Sequence, residues 1–461
     1  MIADESSDPT QLGPIRLPGV VRIGSKHYEA VREVRPTFTS PEHARRFAAR
    51  AGDAVESFSI SARIGALDLR PGDHVAVAAV DSGAPLIVQR RDEVIVNFDL
   101  AGAQAFRFAD SKRPIYTYIP GFNVQIVPES VRRPISNAVQ ALSSRKSVRQ
   151  DEQAAAQRYR RLPLTGFELG VLLLHTVLEA ADGGHGVFEW PLGKRAAFIA
   201  LHDVDSAGLF KRGQSDELFR TDRRHDIQST WFIPTALLAR IGESVEFLLE
   251  AGHEIGWHGH KHDHRDHVRP YADRAVAALG SSRLSSADAP LGMRLPKLLK
   301  SNTLFQLLEQ RCPTLRYDTS FLHGIVPYPL WINGRRSSIL EIPTTVPTDI
   351  RVHNELLGLT RARRSAAILK AQIARTEQLL EVGGVISIVT HPEKGLSERP
   401  ELLEVYDHYL SYLRARDDIW FTTAGTLFSY WMDALDLRPP VISPPFRVGA
   451  ASAAGSLAGR A

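Results

Sequence analysis

Between about residues 190 and 436, short apolar runs alternate with longer stretches in which apolar residues recur at helical spacing. The short runs are Ala197 to Leu201, Ser229 to Ile233, Glu254 to Trp257, Leu291 to Arg294, Ile339 to Ile342, Val385 to Val389 and Ile419 to Thr422. Their length and their β-branched and aromatic content predict strands. The longer stretches, Thr235 to Ala251, Ser301 to Cys312, Arg361 to Glu381 and Glu401 to Ala415, predict amphipathic helices, and Gly383-Gly384 ends the third of these. Repeated strand–helix alternation predicts an α/β fold with a parallel sheet or an α/β barrel. In such folds, chemistry gathers at the C-terminal ends of the strands.

The upstream chain has a different texture. Residues 15–125 hold short runs of alternating or β-branched residues, such as His74 to Val80, Leu86 to Gln89 and Val94 to Phe98, separated by turn signals such as Pro71-Gly72-Asp73. This predicts a smaller β-rich accessory domain, with a helix near Pro41 to Gly52 and no chemical motif. Residues 126–189 read as a helical, basic connector containing Arg132, Arg133, Arg145, Lys146 and Arg149. The apolar stretch Phe167 to Ala181 is interrupted by Glu168, His175 and Glu179, so it predicts a buried helix and not a membrane span. Residues 437–461, rich in Pro, Ala, Gly and Ser, predict a disordered tail.

Composition changes this picture little. The 461 residues are 43% hydrophobic and 23% charged, which excludes a disordered or low-complexity chain. Fifty-six basic against 52 acidic residues leaves a net charge of +4, too small to imply a nucleic-acid partner. The single cysteine, Cys312, excludes an internal disulfide and a cysteine-rich zinc module. The acidic, polar start, MIADESSDPT, is unlike a secretory signal, so the expectation is a soluble cytoplasmic protein. Oligomeric state is not legible.

The candidate chemistry lies at strand ends. Six histidines fall between positions 253 and 267, five of them after the apolar Ile255-Gly256-Trp257. Neutral imidazole is a common ligand of zinc and similar ions, and His258 and His262 stand four apart. Asp203-Val204-Asp205 follows the run Ala197 to Leu201. Carboxylates two apart on a strand share one side and repel each other unless a cation is near. One would then ligate the ion while the other acts as a base. Arg294 and His391 close two further runs. Taken singly, a surface loop, a capping turn, a salt bridge or a strand-end histidine accounts for each. Together they fall in order at the ends of successive strands.

In that order they resemble the polysaccharide deacetylases of the NodB-homology type, carbohydrate esterase family 4. Leu201-His202-Asp203-Val204-Asp205 resembles the first motif, in an Asp-x-Asp form; Gly252-His253-Glu254-Ile255-Gly256-Trp257-His258-Gly259-His260-Lys261-His262 resembles the second. Arg294-Leu295-Pro296, Tyr317-Asp318-Thr319-Ser320 and Val389-Thr390-His391 resemble later ones. The resemblance covers about residues 190–436 and implies a distorted (β/α) barrel. It implies that Asp205, His258 and His262 hold a divalent metal, zinc being the expected ion. It also implies that Asp203 takes a proton from water, that Arg294 orients Asp203, and that His391 protonates the departing amine. The implied substrate is an N-acetylated glycan or glycan precursor, and the products are acetate and an amino sugar. Two features depart from the family pattern: Lys297 stands where an aromatic residue often follows Arg-x-Pro, and the tryptophan-containing fourth motif is not visible near Glu341-Ile342-Pro343 and Asp349. A hydrolase of cyclic ureides or imides, and a non-catalytic glycan-binding module, are the alternatives.

Overall fold

A computed structural model describes residues 21–23, 32–51, 60–62, 64–90, 93–98, 106–107, 110–111, 172, 176–177, 190–205, 216–262, 265–286, 289–322, 324–333, 335–348, 360–393 and 399–434. The greater part of the basic connector, and the whole tail from 437, lie outside these residues. Leu172, Thr176 and Val177, within the stretch expected as a buried helix, are helical and buried.

The accessory region forms the expected β-rich unit. Its elements are β1 (Val21–Ile23), β2 (Arg32–Val34), β3 (Pro36–Phe38), α1 (Pro41–Ala51), β4 (Ile60–Ala62), β5 (His74–Ala79), β6 (Pro85–Arg90), β7 (Glu93–Val96) and β8 (Phe106–Arg107). Five strands order as β1-β7-β6-β5-β3, and β2 pairs with β4. Phe47 of α1 is buried and packs against Phe38 of β3, with ring centroids 5.2 Å apart.

The remaining chain runs β9 (Ala196–Asp203), α2 (Asp216–Arg224), β10 (Thr230–Ile233), α3 (Thr235–Leu238), α4 (Gly242–Glu250), β11 (Glu254–Trp257), α5 (Tyr271–Gly280), β12 (Leu291–Met293), α6 (Asn302–Arg311), β13 (Leu315–Asp318), β14 (Tyr328–Ile332), β15 (Arg335–Glu341), α7 (Arg361–Val382), β16 (Val385–Thr390), α8 (Pro400–Arg414), β17 (Ile419–Phe421) and α9 (Ala424–Ala434). The alternation yields a sheet of order β16-β9-β10-β11-β12-β13-β15-β14-β8, with β17 pairing with the start of β9. From β16 to β15 every pairing is parallel. Such strands are covered on both faces, and every residue of β9 is buried.

The sheet curls into a distorted barrel, and an irregular segment closes it. After β15, Val346 N–H donates to Ser387 O at 3.0 Å. Thr345 Oγ1 donates to Val385 O at 2.7 Å and accepts from Ser387 N–H at 2.9 Å. A hydroxyl therefore stands in for a ladder partner on the open edge of β16, where unpaired backbone groups would be costly.

Helices α2 and α5 and strands β13 and β14 were not among the predicted elements, and two further local outcomes differ from the pattern reading. The stretch Thr235 to Ala251 is two helices, because Ile241 turns into the core and leaves the helical conformation, with φ −124°, before Gly242 restarts the second. The accessory region also contributes to the large sheet: Phe106 and Arg107 pair with Leu330 and Trp331. Beyond β8, Ser111 N–H donates to Lys300 O at 2.8 Å, and Asp110 Oδ1 accepts the N–H of Asn302, the first residue of α6, at 2.8 Å. Cys312 is buried. Among the described residues no helix is long and apolar enough to cross a membrane.

Candidate metal centre

Strand register brings the candidate residues to one rim. Phe232 of β10 lies beside Asp203, Ile233 beside Trp257, and Trp257 beside Met293. Thr390 of β16 lies beside His202. The residues at or just past these positions, namely Asp203 and Asp205, His258, Arg294 and His391, therefore emerge together at the C-terminal end of the sheet. Asp203 is the last residue of β9, and Asp205 follows two residues later, past the end of the strand.

Asp205, His258 and His262 bring one donor atom each within 4.8 Å of one another. Asp205 Oδ1 is 3.3 Å from His258 Nε2 and 2.9 Å from His262 Nε2. The two imidazoles stack with centroids 5.2 Å apart. His258 Nδ1 lies 2.6 Å from the carbonyl oxygen of Arg294, which fixes Nδ1 as the protonated nitrogen and leaves the Nε2 lone pair facing Asp205. Asp205 Oδ1 and His258 Nε2 are buried and make no hydrogen bond. Buried polar atoms are otherwise almost always satisfied, so two such atoms converging beside a third donor fit a cation. One carboxylate and two imidazoles suit zinc and neighbouring divalent ions.

The proton-transfer candidates adjoin this trio. Arg294 Nε donates to Asp203 Oδ2 at 2.8 Å, with both side chains almost wholly buried. Arg294 Nη1 also donates to Thr344 Oγ1 at 2.8 Å and to Thr319 O. His391 Nε2 stands 3.8 Å from the same Asp203 oxygen. Burial is the strongest single influence on the Asp203 carboxyl and favours its protonated form. The Arg294 guanidinium, together with the neighbouring His258 and His391 imidazoles, outweighs it and holds Asp203 below the usual carboxylate range. Burial likewise opposes ionisation of Asp205, but the two imidazoles hold it well below that range. Both acids are thus ionised at neutral pH.

The other sequence candidates sit elsewhere. His260 Nδ1 lies 2.9 Å from Thr235 Oγ1, outside the trio. His253 is at the opposite end of β11, with Nδ1 accepting from Ser229 N–H at 3.1 Å. Lys297 is exposed, in a left-handed turn with φ 50°. Glu341 is buried beside Asp318, its register partner, and accepts from Phe321 N–H at 3.0 Å. Burial and the Asp318 charge push Glu341 well above the ordinary range. His264 and Asp349 lie outside the described residues.

Sequence reasoning missed two supporting groups. Glu393 Oε1 accepts the N–H of Asp205 at 2.9 Å and so fixes the ligand-bearing turn. Thr344 shares the guanidinium of Arg294 with Asp203. The signal for Glu393 was its place two residues after His391; nothing in the residue type marks Thr344.

No family model matches the chain. A curated peptidoglycan deacetylase from Helicobacter pylori (strain ATCC 700392 / 26695) is 25% identical over 254 residues, spanning 48% of this chain and 85% of the relative. Among solved structures, the Bc1960 peptidoglycan N-acetylglucosamine deacetylase is 14% identical, with 55% of this chain and 96% of that one covered and a TM-score of 0.35. Puue allantoinase is 17% identical, with 53% and 93% covered and a TM-score of 0.44. The resemblance to the polysaccharide deacetylases read from the ordered motifs stands, and the Helicobacter pylori relative carries it.

Proposed function

We propose that the chain is a metal-dependent N-deacetylase acting on an amino sugar of a glycan or glycan precursor, through the Asp-x-Asp form of the site. One observation carries this reading. A donor trio fit for a cation shares its rim with an ionised buried carboxylate, an orienting guanidinium and an imidazole 3.8 Å from that carboxylate. A module that only binds glycans needs the trio at most, not the base and the acid.

Asp205, His258 and His262 would hold the ion, with zinc the best match to their oxygen and nitrogen donors. When bound, such an ion polarises an acyl carbonyl and makes water more acidic. Asp203, kept ionised by Arg294, takes the proton of the attacking water. Arg294 is itself held by Thr344 and Thr319, so the acceptor oxygen cannot swing away. His391 gives a proton to the amine nitrogen as the C–N bond breaks, so the amine leaves neutral. Acetate and the free amino sugar result.

The test is acetate release from N-acetylglucosamine oligomers with added zinc, cobalt or manganese, alongside metal content by elemental analysis. Asp205→Ala and His258→Ala are expected to lose both metal and turnover. Asp203→Asn is expected to keep the metal and lose about a hundred- to ten-thousand-fold in rate. Full activity in Asp205→Ala overturns the metal assignment, and turnover of cyclic ureides in place of the oligomers overturns the substrate class.

A further inference from the structure

His262 reaches the trio from a left-handed backbone conformation, φ 56°, which disfavours any residue bearing a Cβ. Such a conformation persists only where the surroundings hold it. The turn from His258 to His262 is gripped on one side by the start of α3, where Thr235 N–H and Ala236 N–H donate to Gly259 O and His260 O, both at 3.0 Å. The opposite side is held by Asp266, whose Oδ2 accepts the N–H of His260 at 2.7 Å. Asp266 is 6% exposed. Gly259 has φ 71°, and a Cβ placed there would lie 2.5 Å from the same Asp266 oxygen. The carboxylate thus occupies the space that a side chain at 259 would fill.

We propose that Asp266 is a positioning residue for the cation, clamping the turn between the two histidine ligands without touching the ion. The proposal rests on the reading of Asp205, His258 and His262 as a metal site. Nothing in the first motif or the histidine spacing marks Asp266, which lies beyond the resemblance to the second motif. Its role is that of an outer acceptor that preorganises a ligand, here through backbone and not through an imidazole nitrogen.

The experiment measures zinc affinity of the full chain by competition with a chromophoric chelator. Wild type, Asp266→Ala and Asp266→Asn are compared, and thermal melting of each metal-free form reports folding. Asp266→Ala is expected to bind zinc about 10- to 100-fold more weakly. Asp266→Asn, whose amide oxygen still accepts the His260 N–H, is expected to stay close to wild type. Equal affinity of Asp266→Ala and wild type overturns the clamp. Asn as weak as Ala also overturns it, since charge and not the hydrogen bond would then act. If Asp266→Ala does not fold, Gly259→Ala displaces the same carboxylate from the other side, and unchanged affinity there overturns the clamp. A folded wild type that takes up no zinc, cobalt or manganese instead overturns the metal site, and the clamp with it.

Discussion

Replacing Arg294 by Met removes a guanidinium from beside Asp203 while keeping most of the apolar stem. At the 2.8 Å separation of Arg294 Nε and Asp203 Oδ2, Coulomb's law with an effective dielectric constant of about 20 gives about 6 kcal/mol of attraction. The dehydration of both groups offsets much of this, yet removing one partner alone leaves the other charge buried, at a cost of about 3–5 kcal/mol. Thr344 Oγ1 and Thr319 O lose a donor at the same time. Urea unfolding of the metal-free protein near neutral pH is the assay. Arg294→Met is expected to lose about 3–5 kcal/mol. The double variant Asp203→Asn/Arg294→Met is expected to lose less than the sum of the two single changes, by about 1–3 kcal/mol. The sign of the pH dependence follows from the direction of the Asp203 shift. Its carboxyl is held below the ordinary range, so the stability it contributes is present at neutral pH and fades as pH falls through its native value. With Arg294 gone, burial is less opposed, the native carboxyl moves up toward its unfolded value, and the stability lost on acidification shrinks. Strict additivity of the two changes, or an unmoved acid limb, refutes the pairing as the reason Asp203 stays ionised.

Other expectations concern the surroundings of the centre. Glu341 is held well above the ordinary carboxyl range, so the folded state keeps a proton that the unfolded chain releases, and stability falls as pH rises between the two values. Glu341→Gln is expected to make that decline shallower, as read by urea unfolding from about pH 5 to about pH 9; an unchanged slope counts against it. Asp110→Ala removes an acceptor from the first N–H of α6 and is expected to lower stability by about 1 kcal/mol, measured by thermal melting. No loss there would mean that the segment after β8 adds nothing to the barrel.

Strands β9, β10 and β16 were legible because each is an apolar run buried at every position, whereas β13, interrupted by the half-buried Arg316, and β14 were not read as strands. The elements missed lack that contrast. Helix α5 buries Ala272, Ala275, Val276 and Leu279, a face of mostly small side chains. Helix α2 buries Leu218 and Phe219 together with the polar Thr221 and Asp222, and Asp222 accepts from Ser229 and Tyr406 inside the structure. Hydrophobic periodicity is blind to a polar face of this kind. The site residues were legible for a different reason: Asp203, Asp205, His258, Arg294 and His391 sit at or just past strand ends whose alignment the register then supplies, and His262 follows His258 at a four-residue spacing. Asp266, Glu393 and Thr344 were not, because their partners are backbone N–H groups or a guanidinium that only the folded chain brings near.

Residue 294 serves the centre twice, by separate atoms. Its side chain steadies Asp203, and its main-chain oxygen steadies His258. Every amino acid has that oxygen, whereas only arginine has that fork. Under the proposed function, drift at this one codon would silence turnover and spare the ion. A descendant silenced in this way would still look intact to any census of bound zinc, and only a kinetic measurement would tell it from its working ancestor.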